Sequence, residues 1–226
     1  MNAARDRMPS RAPLSDAFAH VEPWVFALDN TLYPPHVRLF DQIEERMTEY
    51  VMNTLDVTRE HADTLRRDYW HRHGTTLAGL MQEHDLDPAP YLTAVHDISF
   101  EALEPDLLLA ERLAALPGRR IVYTNGSAPY ARRVIEARGL DGLFDAVYGV
   151  EDAGFEPKPR RAAFERVFSS AAVEPTRAAM FEDEPRNLAE PHAMGMRTVL
   201  VAPDRVTEDH IHHHTDDLTA FLRHLS

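Results

Sequence analysis

Four separate stretches of the chain place polar residues suited to phosphate chemistry at or shortly after the end of an apolar run. These residues are Asp29, Thr124, Asn125, Gly126, Lys158, Glu182, Asp183 and Asn187. Carboxylates hold hard cations such as Mg²⁺ through oxygen ligands, while hydroxyl and backbone N–H groups donate hydrogen bonds to phosphate oxygens. A lysine ammonium group stabilises the negative charge that develops during phosphoryl transfer. We expect these groups to form one site, provided that the fold brings the four stretches together.

Asp29 is the residue of this set best suited to proton transfer. Its carboxyl group can donate a proton to a leaving alkoxide and later accept one from water. A covalent route also needs a nucleophile, and an aspartate two residues earlier would lie on the same face of an extended strand. That position holds Ala27. The sequence therefore indicates acid, metal and phosphate positions around one absent nucleophile.

The elements that must position these residues are short strands alternating with helices. Apolar runs bounded by turn residues predict strands at 24–28, 120–124, 145–149, 178–182 and 197–201. Helical patterns fill the later intervals and end near Gly139 and Gly195. This alternation predicts an α/β fold with a doubly wound, Rossmann-like, mostly parallel sheet. Ligands of such sheets bind beyond the carboxyl ends of the strands, where the polar stretches lie.

A long helical stretch interrupts the alternation. Apolar residues from Val37 to Val51 recur at three- to four-residue spacing, which predicts an amphipathic helix. A second helix is predicted between a possible N-cap at Thr58 and a possible C-cap at Gly74. The expected organisation is a flexible tail at 1–21, a core at 22–35 and 105–226, and an inserted helical cap at 36–104.

The composition limits the classes of function. The 226 residues suffice for one domain plus an insertion, and 44% hydrophobic residues allow a sizeable core. A net charge of −13 argues against a nucleic-acid or membrane partner, which would need a basic face. The absence of cysteine excludes disulfides, thiolate zinc sites and cysteine nucleophiles. Because no apolar run approaches ~20 residues and no signal peptide is recognisable, we expect a cytoplasmic protein, with its oligomeric state left open.

The histidine-rich run 210–215 is the one other stretch that suggests a metal site. Its sequence, HIHHHT, lies just before the last predicted helix and far along the chain from the polar stretches. We therefore expect an exposed or partly packed histidine cluster there rather than a metal centre.

The polar stretches, taken in order, resemble the motifs of the haloacid dehalogenase superfamily of phosphatases. The first motif of that family, Asp-x-Asp-x-Thr, corresponds to ALDNT at 27–31, and its second, a Thr or Ser ending a strand, corresponds to Thr124. The third, a lysine before proline, corresponds to Lys158, and the fourth corresponds to Asp183 in FEDEPRNL. The resemblance covers about 24–222. The cap sequences HGTTLAGLMQEH and VHDI are similar to the pyrimidine 5′-nucleotidase branch.

This resemblance implies Mg²⁺-dependent hydrolysis of a small phosphorylated metabolite, with a pyrimidine nucleoside 5′-monophosphate as the expected substrate. The implied catalytic positions are Ala27 (the nucleophile position, where the family has aspartate), Asp29, Thr124 and Lys158. The implied metal ligands are Asp29 and Asp183, with Asn187 and Glu182 as weaker candidates. Expected contacts with the substrate come from Asn125 and Gly126 in the core, and from Thr75, Thr76 and His96 in the cap.

Ala27 leads us to expect an inactive or nearly inactive chain, for which two explanations compete. The alanine is either a laboratory replacement of aspartate that traps bound substrate, or a natural feature of a pseudoenzyme that binds nucleotide or phosphate. Retention of every other motif residue favours the first, because an idle site would drift at several positions.

Three other activities stay open on the sequence alone: a dehalogenase, a sugar-phosphate phosphatase, and a scaffold whose cap docks a partner. A halide leaves without a proton, whereas an alkoxide needs one. A positioned acid at Asp29 therefore favours phosphate esters over carbon–halogen bonds.

Overall fold

A six-stranded parallel sheet forms the centre of the protein, which we describe from a computed structural model over residues 14–225. The strands are β1 (Pro23–Phe26), β2 (Arg119–Tyr123), β3 (Ala146–Tyr148), β4 (Ala179–Glu182), β5 (Arg197–Val201) and β6 (His213–Thr215). Their order is β3-β2-β1-β4-β5-β6, and every neighbouring pair is parallel. The predicted doubly wound α/β fold is confirmed, and each predicted strand forms within two residues of its expected bounds.

Helices cover both faces of the sheet. They are α1 (Leu14–Phe18), α2 (Leu39–Leu55), α3 (Arg59–His73), α4 (Thr76–His84), α5 (Pro88–Val95), α6 (Leu107–Ala115), α7 (Ala128–Ala137), α8 (Arg161–Ser170), α9 (Ala189–Ala193) and α10 (Leu218–Leu222). Successive strand residues bury opposite faces, so Phe26 lies in one apolar cluster and Val25 in the other. The same alternation places residues 25, 27 and 29 on one face of β1 and the residues that directly follow it.

Strand β6 is a finding that the sequence did not predict. The second half of the run 210–215 forms the edge strand β6, which pairs with β5 alone, with Val199 opposite His213. His212 also accepts or donates a hydrogen bond at 2.7 Å between its Nδ1 and Thr198 Oγ1. A polar edge strand lacks the apolar run that identifies central strands, so no periodicity indicated it. The histidine run is thus partly packed, as one of the two expected arrangements allowed.

The expected flexible tail at 1–21 needs a correction over its second half. Residues 1–13 lie outside the described residues, but Leu14–Phe18 form helix α1. Phe18 is buried, stacks on Trp24 with 5.9 Å between ring centroids, and packs edge-on against Phe221. Two apolar anchors, Phe18 and Val21, were enough to attach this polar-looking stretch to the core.

Helices α2 to α5 lie in residues 36–104, which we call the cap segment. This segment follows β1 in the chain and precedes α6 and β2. Thr58 caps α3 by accepting a hydrogen bond from the His61 N–H, and Gly74 ends it with φ +95°, so both predicted caps are confirmed. Helices α3 and α4 pack closely at Gly79. A Cβ at this position would lie 2.2 Å from the Tyr69 ring, so the contact requires glycine. No helix among residues 14–225 is long and apolar enough to cross a membrane.

Candidate active site

A cavity of about 650 Å³ lies between the carboxyl ends of the central strands and the cap segment. Every site residue expected from the sequence lines it: Ala27, Asp29, Thr75, Thr76, His96, Thr124, Asn125, Gly126, Lys158, Glu182, Asp183 and Asn187. The fold thus brings all four polar stretches and the three cap residues to one place. The roles of these residues follow from their individual contacts.

Residues 27 and 29 lie directly after the carboxyl end of β1 and line the cavity on the side of the sheet. Ala27 continues the sheet, since its N–H donates to the Phe181 carbonyl at 2.8 Å. The chain then turns, with the N–H groups of Thr31 and Leu32 both donating to the Leu28 carbonyl. Asp29 therefore projects from the start of the turn. Ala27, only 2% exposed, presents a methyl group beside it.

Two tyrosine hydroxyl groups hold the Asp29 carboxyl group, and the sequence did not indicate either of them. Tyr33 and Tyr130 each donate a hydrogen bond to Asp29 Oδ1 at 2.7 Å. Burial raises the pKa of Asp29, while the two tyrosine hydrogen bonds and the charge of Lys158 offset part of that rise. A carboxyl group with a raised pKa is suited to hold a proton near neutral pH.

Lys158 and Glu182 form a buried ion pair at the side of the cavity. The Lys158 Nζ lies 2.5 Å from Glu182 Oε2, and the two residues are 3% and 1% exposed. Glu182 Oε1 accepts a further hydrogen bond from the Glu184 N–H at 3.2 Å. Burial raises the pKa of Glu182, but the charge of Lys158 and neighbouring hydrogen bonds outweigh it and hold that pKa below its ordinary value. Both carboxylate oxygens of Glu182 therefore have hydrogen-bonding partners within the protein.

The side-chain oxygens of Asp183 and Asn187 are of the type that binds a hard cation such as Mg²⁺. Burial and the nearby Glu182 carboxylate raise the pKa of Asp183 well above its ordinary value, which a cation would reverse. Asn30 Nδ2 donates to Asp183 Oδ2 at 3.2 Å, and the buried Asn187 Oδ1 has no hydrogen-bond partner among residues 14–225. Within the same residues no three Asp, Glu or His side chains are grouped as a metal site. The donor set fits Mg²⁺ but lacks the carboxylate that an aspartate at position 27 would add.

Residues 124–126, which follow β2, line the cavity and also hydrogen-bond to the segment around Lys158, which we call the lysine loop. The Asn125 side chain is fully engaged with the Lys158 backbone, accepting from its N–H at 2.8 Å and donating to its carbonyl at 3.2 Å. The Asn125 side chain thus fixes the segment around Lys158, and the expected contact of Asn125 with substrate stays a prediction. Thr124 Oγ1 accepts from the Gly126 N–H at 2.9 Å. A Cβ on Gly126 would lie 3.0 Å from the Tyr130 ring, so glycine permits this close approach.

The three expected substrate contacts from the cap segment have structural partners of their own. Thr75 caps α4 by accepting from the Ala78 N–H at 3.1 Å, and Thr76 is buried. His96 stacks face to face on Tyr130, with 4.3 Å between ring centroids and 6° between planes. Burial lowers the pKa of His96 to about 4, so the ring is neutral at ordinary pH. His96 thus supports Tyr130 from within the cavity wall.

Arg186 joins the cap segment to the core, and nothing in the sequence pattern indicated it. Its guanidinium lies 3.4 Å from the Trp70 ring centroid and donates to the carbonyls of Trp70 and Gly74 at 3.1 and 2.9 Å. Gly74 also packs against the lysine loop, since its Cβ would lie 3.1 Å from Pro157. The end of α3 is therefore attached to the core directly over the cavity.

The wall of the cavity that belongs to the cap segment is mixed in character. Besides the cap residues described above, this wall includes Phe40, Ile43, Glu44, Met47, Asp63, Arg66, Arg67, Trp70, His71, Tyr91, Leu92 and Val95. Arg66 donates to Thr48 Oγ1 at 2.7 Å and to Glu44 at 3.3 Å, so its charge is already paired. The wall offers apolar surface together with several hydrogen-bonding groups.

Comparison with known proteins matches the chain to a family model and to a distant curated relative. The family model for haloacid dehalogenase-like hydrolases matches residues 25–195. Phosphate metabolism protein 8 from Saccharomyces cerevisiae is 24% identical over 208 residues, or 85% of this chain. The chain spans about 64% of the length of that relative.

Solved structures share the fold at low sequence identity. CbbY from Rhodobacter sphaeroides in complex with phosphate aligns with a TM-score of 0.64 and 18% identity, covering 91% of this chain and 99% of that one. The HAD-hydrolase YfnB from Bacillus subtilis bound to magnesium aligns with a TM-score of 0.59 and 16% identity, covering 91% and 98%. At these identities the likeness extends to the fold alone.

Proposed function

The chain belongs to the haloacid dehalogenase-like hydrolases, and from that premise we propose that its cavity is the site of a phosphate monoester hydrolase. The covalent step requires aspartate at position 27, so the chain with Ala27 binds its substrate and is inactive or nearly so. The observation that carries this proposal is the state of Asp29. It is a buried carboxyl group with a raised pKa, held by two tyrosines beside Ala27.

In this proposal Asp29 gives a proton to the leaving alkoxide and later removes one from water. Lys158 and the Thr124 hydroxyl bind phosphate oxygens, and the Glu182 carboxylate holds the Lys158 ammonium group in place. The backbone carbonyl of Asp29 and the side chains of Asp183 and Asn187 are the groups that would hold Mg²⁺. When bound, the ion supplies positive charge that offsets the charge of the phosphate.

We propose a pyrimidine nucleoside 5′-monophosphate as the substrate. The core residues contact only phosphate and metal, which all monoesters share, so discrimination must come from the cap segment. A cavity of about 650 Å³ leaves room for a nucleoside beyond the phosphate. Trp70 offers an exposed ring, and Asp63 and His71 offer polar groups to the edge of a base.

A second candidate is binding without turnover, as in a natural pseudoenzyme. It is favoured by Ala27 itself, because the methyl group removes one negative charge that would face an incoming phosphate. A dehalogenase is a weaker candidate, since a halide would not use the proton that the raised pKa of Asp29 keeps available.

The substrate proposal is tested with the Ala27→Asp variant and a panel of UMP, CMP, dTMP, AMP, GMP, phosphoglycolate and hexose phosphates, ranked by kcat/KM. We expect the pyrimidine nucleotides to rank first. A hexose phosphate or phosphoglycolate in first place would reject the nucleotidase assignment and keep the phosphatase. Chloride release from a haloacid without phosphate release from any ester would favour the dehalogenase.

For the metal, we expect the chain as it stands to bind Mg²⁺ weakly, and Asp183→Ala to abolish that binding because it removes the side-chain carboxylate of the ligand set. Calorimetric titration of Mg²⁺ measures this directly. Asp141→Ala removes an exposed carboxylate outside the cavity and serves as the matched control. Equal titration curves for both variants would remove Asp183 from the ligand set.

A further inference from the structure

We propose that Tyr33 and Tyr130 are positioning residues that fix which oxygen of Asp29 transfers the proton. They hold Oδ1, so that Oδ2 carries the proton and faces the reacting ester. This inference rests on the proposed function for its chemistry. Its geometry comes from contacts that the sequence motifs did not indicate.

Both hydroxyl groups converge on one oxygen from different parts of the fold. Tyr33 follows the turn after β1, and Tyr130 lies in the first turn of α7, yet each hydroxyl is 2.7 Å from Asp29 Oδ1. The two rings are 1% and 0% exposed, so neither hydroxyl has water as an alternative partner. Asp29 Oδ2 accepts no hydrogen bond from any other residue of 14–225.

The surroundings of Tyr130 keep its hydroxyl group in place. His96 stacks on the ring at 4.3 Å, and Phe100 lies against it with 6.2 Å between centroids. Ser127 binds both partners, since its Oγ accepts from the Tyr130 N–H at 3.3 Å and pairs with His96 Nδ1 at 3.1 Å. The ring therefore cannot swing away without breaking contacts with the cap segment as well as with α7.

The arrangement decides where a proton on Asp29 resides. Oδ1 already accepts two O–H donors, which occupy its lone pairs, so an added proton is placed on Oδ2. In the Ala27→Asp variant, the carboxylate at position 27 bonds to phosphorus as the ester P–O bond breaks, and the proton passes from Oδ2 to the leaving oxygen. When water then attacks phosphorus and the bond to residue 27 breaks, Oδ2 takes a proton from that water, which releases phosphate and restores the carboxyl group. The tyrosines keep their own protons throughout.

The test compares two leaving groups in the Ala27→Asp background. Without its two donors, Asp29 transfers a proton less well, so Tyr33→Phe/Tyr130→Phe should lower kcat/KM for UMP by about tenfold to a hundredfold. For p-nitrophenyl phosphate the loss should stay within about threefold, because p-nitrophenolate leaves without a proton. The parameter kcat/KM reports the first chemical step and excludes the later attack of water.

Tyr148→Phe is the matched control, because it removes a tyrosine hydroxyl from a half-buried residue of β3 outside the cavity. It should leave both substrates unchanged. Equal losses on the two substrates in the double variant would mean that the tyrosines only stabilise the fold, which overturns the proposal. Each single variant is measured as well, in case the double variant folds poorly.

A second readout does not depend on turnover. In a crystal structure of the chain as it stands with Tyr33→Phe/Tyr130→Phe, the Asp29 carboxyl group should occupy a different or a mixed orientation. An unchanged orientation would overturn the positioning role even if the Ala27→Asp parent proves inactive. An inactive parent together with a reoriented Asp29 would reject the proposed function and keep the positioning role.

Discussion

Replacing Ala27 by aspartate is expected to raise the phosphate ester hydrolysis rate by about 10⁴- to 10⁶-fold. The new carboxylate would stand at the end of β1, next to Asp29 and in the cavity that contains Lys158 and Asp183. Groups that act as one catalytic unit lose nearly all of their effect when a single member is absent. Restoring that member therefore recovers most of the rate in one step.

The measurement is steady-state hydrolysis of p-nitrophenyl phosphate with Mg²⁺, supported by mass spectrometry of acid-quenched protein for a phosphoryl group on residue 27. Ala27→Asn is the matched control, because its amide has nearly the shape of aspartate but is not the nucleophile. It should be as inactive as the chain with Ala27. If Ala27→Asp folds with a normal melting temperature and stays inactive, the site is not a phosphatase of this kind.

The same comparison bears on the origin of Ala27. A site that recovers full activity after one substitution has kept every other group, which supports a laboratory replacement of aspartate. A pseudoenzyme with a long history would need further changes. Codon 27 of the source gene distinguishes the two explanations directly.

The sequence predicted the central strands and the site's position well, because both depend on local signals. Apolar runs such as 197–201 identify buried strands, and the topology then places their exits at one edge of the sheet. Strand β6 had no such signal, because an edge strand pairs on one side only and tolerates polar residues. Phe18 and Val21 were missed for a related reason, since two separated apolar residues make no detectable period.

Within the site, the sequence identified groups near strand ends and missed groups that arrive from elsewhere. Tyr130 lies on a helix face where an aromatic residue normally signals core packing, and its hydroxyl reaches Asp29 across 101 residues of chain. Arg186 contacts Trp70 through a pairing that only the folded cap segment creates. The sequence also did not indicate that the Asn125 side chain would hydrogen-bond to the backbone N–H and carbonyl of Lys158. Long-range partners of this kind are set by tertiary packing, which local patterns do not encode.

Removing one partner of the buried pair of Lys158 and Glu182 should destabilise the fold strongly, because it leaves the other charge buried without a counter-charge. Glu182→Gln removes the charge opposite a lysine that is 3% exposed, and it should lower the free energy of unfolding by about 3–5 kcal/mol. Urea denaturation of the chain as it stands measures this loss. Glu165→Gln is the control, since it disrupts a solvent-exposed ion pair with Arg161 and should change the stability little.

Replacing both partners separates the structural role of the pair from its chemical role. Lys158→Met/Glu182→Leu leaves no uncompensated charge, so it should recover most of the stability that Glu182→Gln loses. In the Ala27→Asp background, however, the same double variant should stay about 10²- to 10³-fold below its parent in kcat/KM, because the cation facing the phosphate is gone. If this double variant is stable but has low activity, Lys158 acts in phosphate binding and catalysis as well as in folding. If activity returned together with stability, the pair would serve only to hold the sheet ends together, and the phosphate-binding role of Lys158 would be wrong.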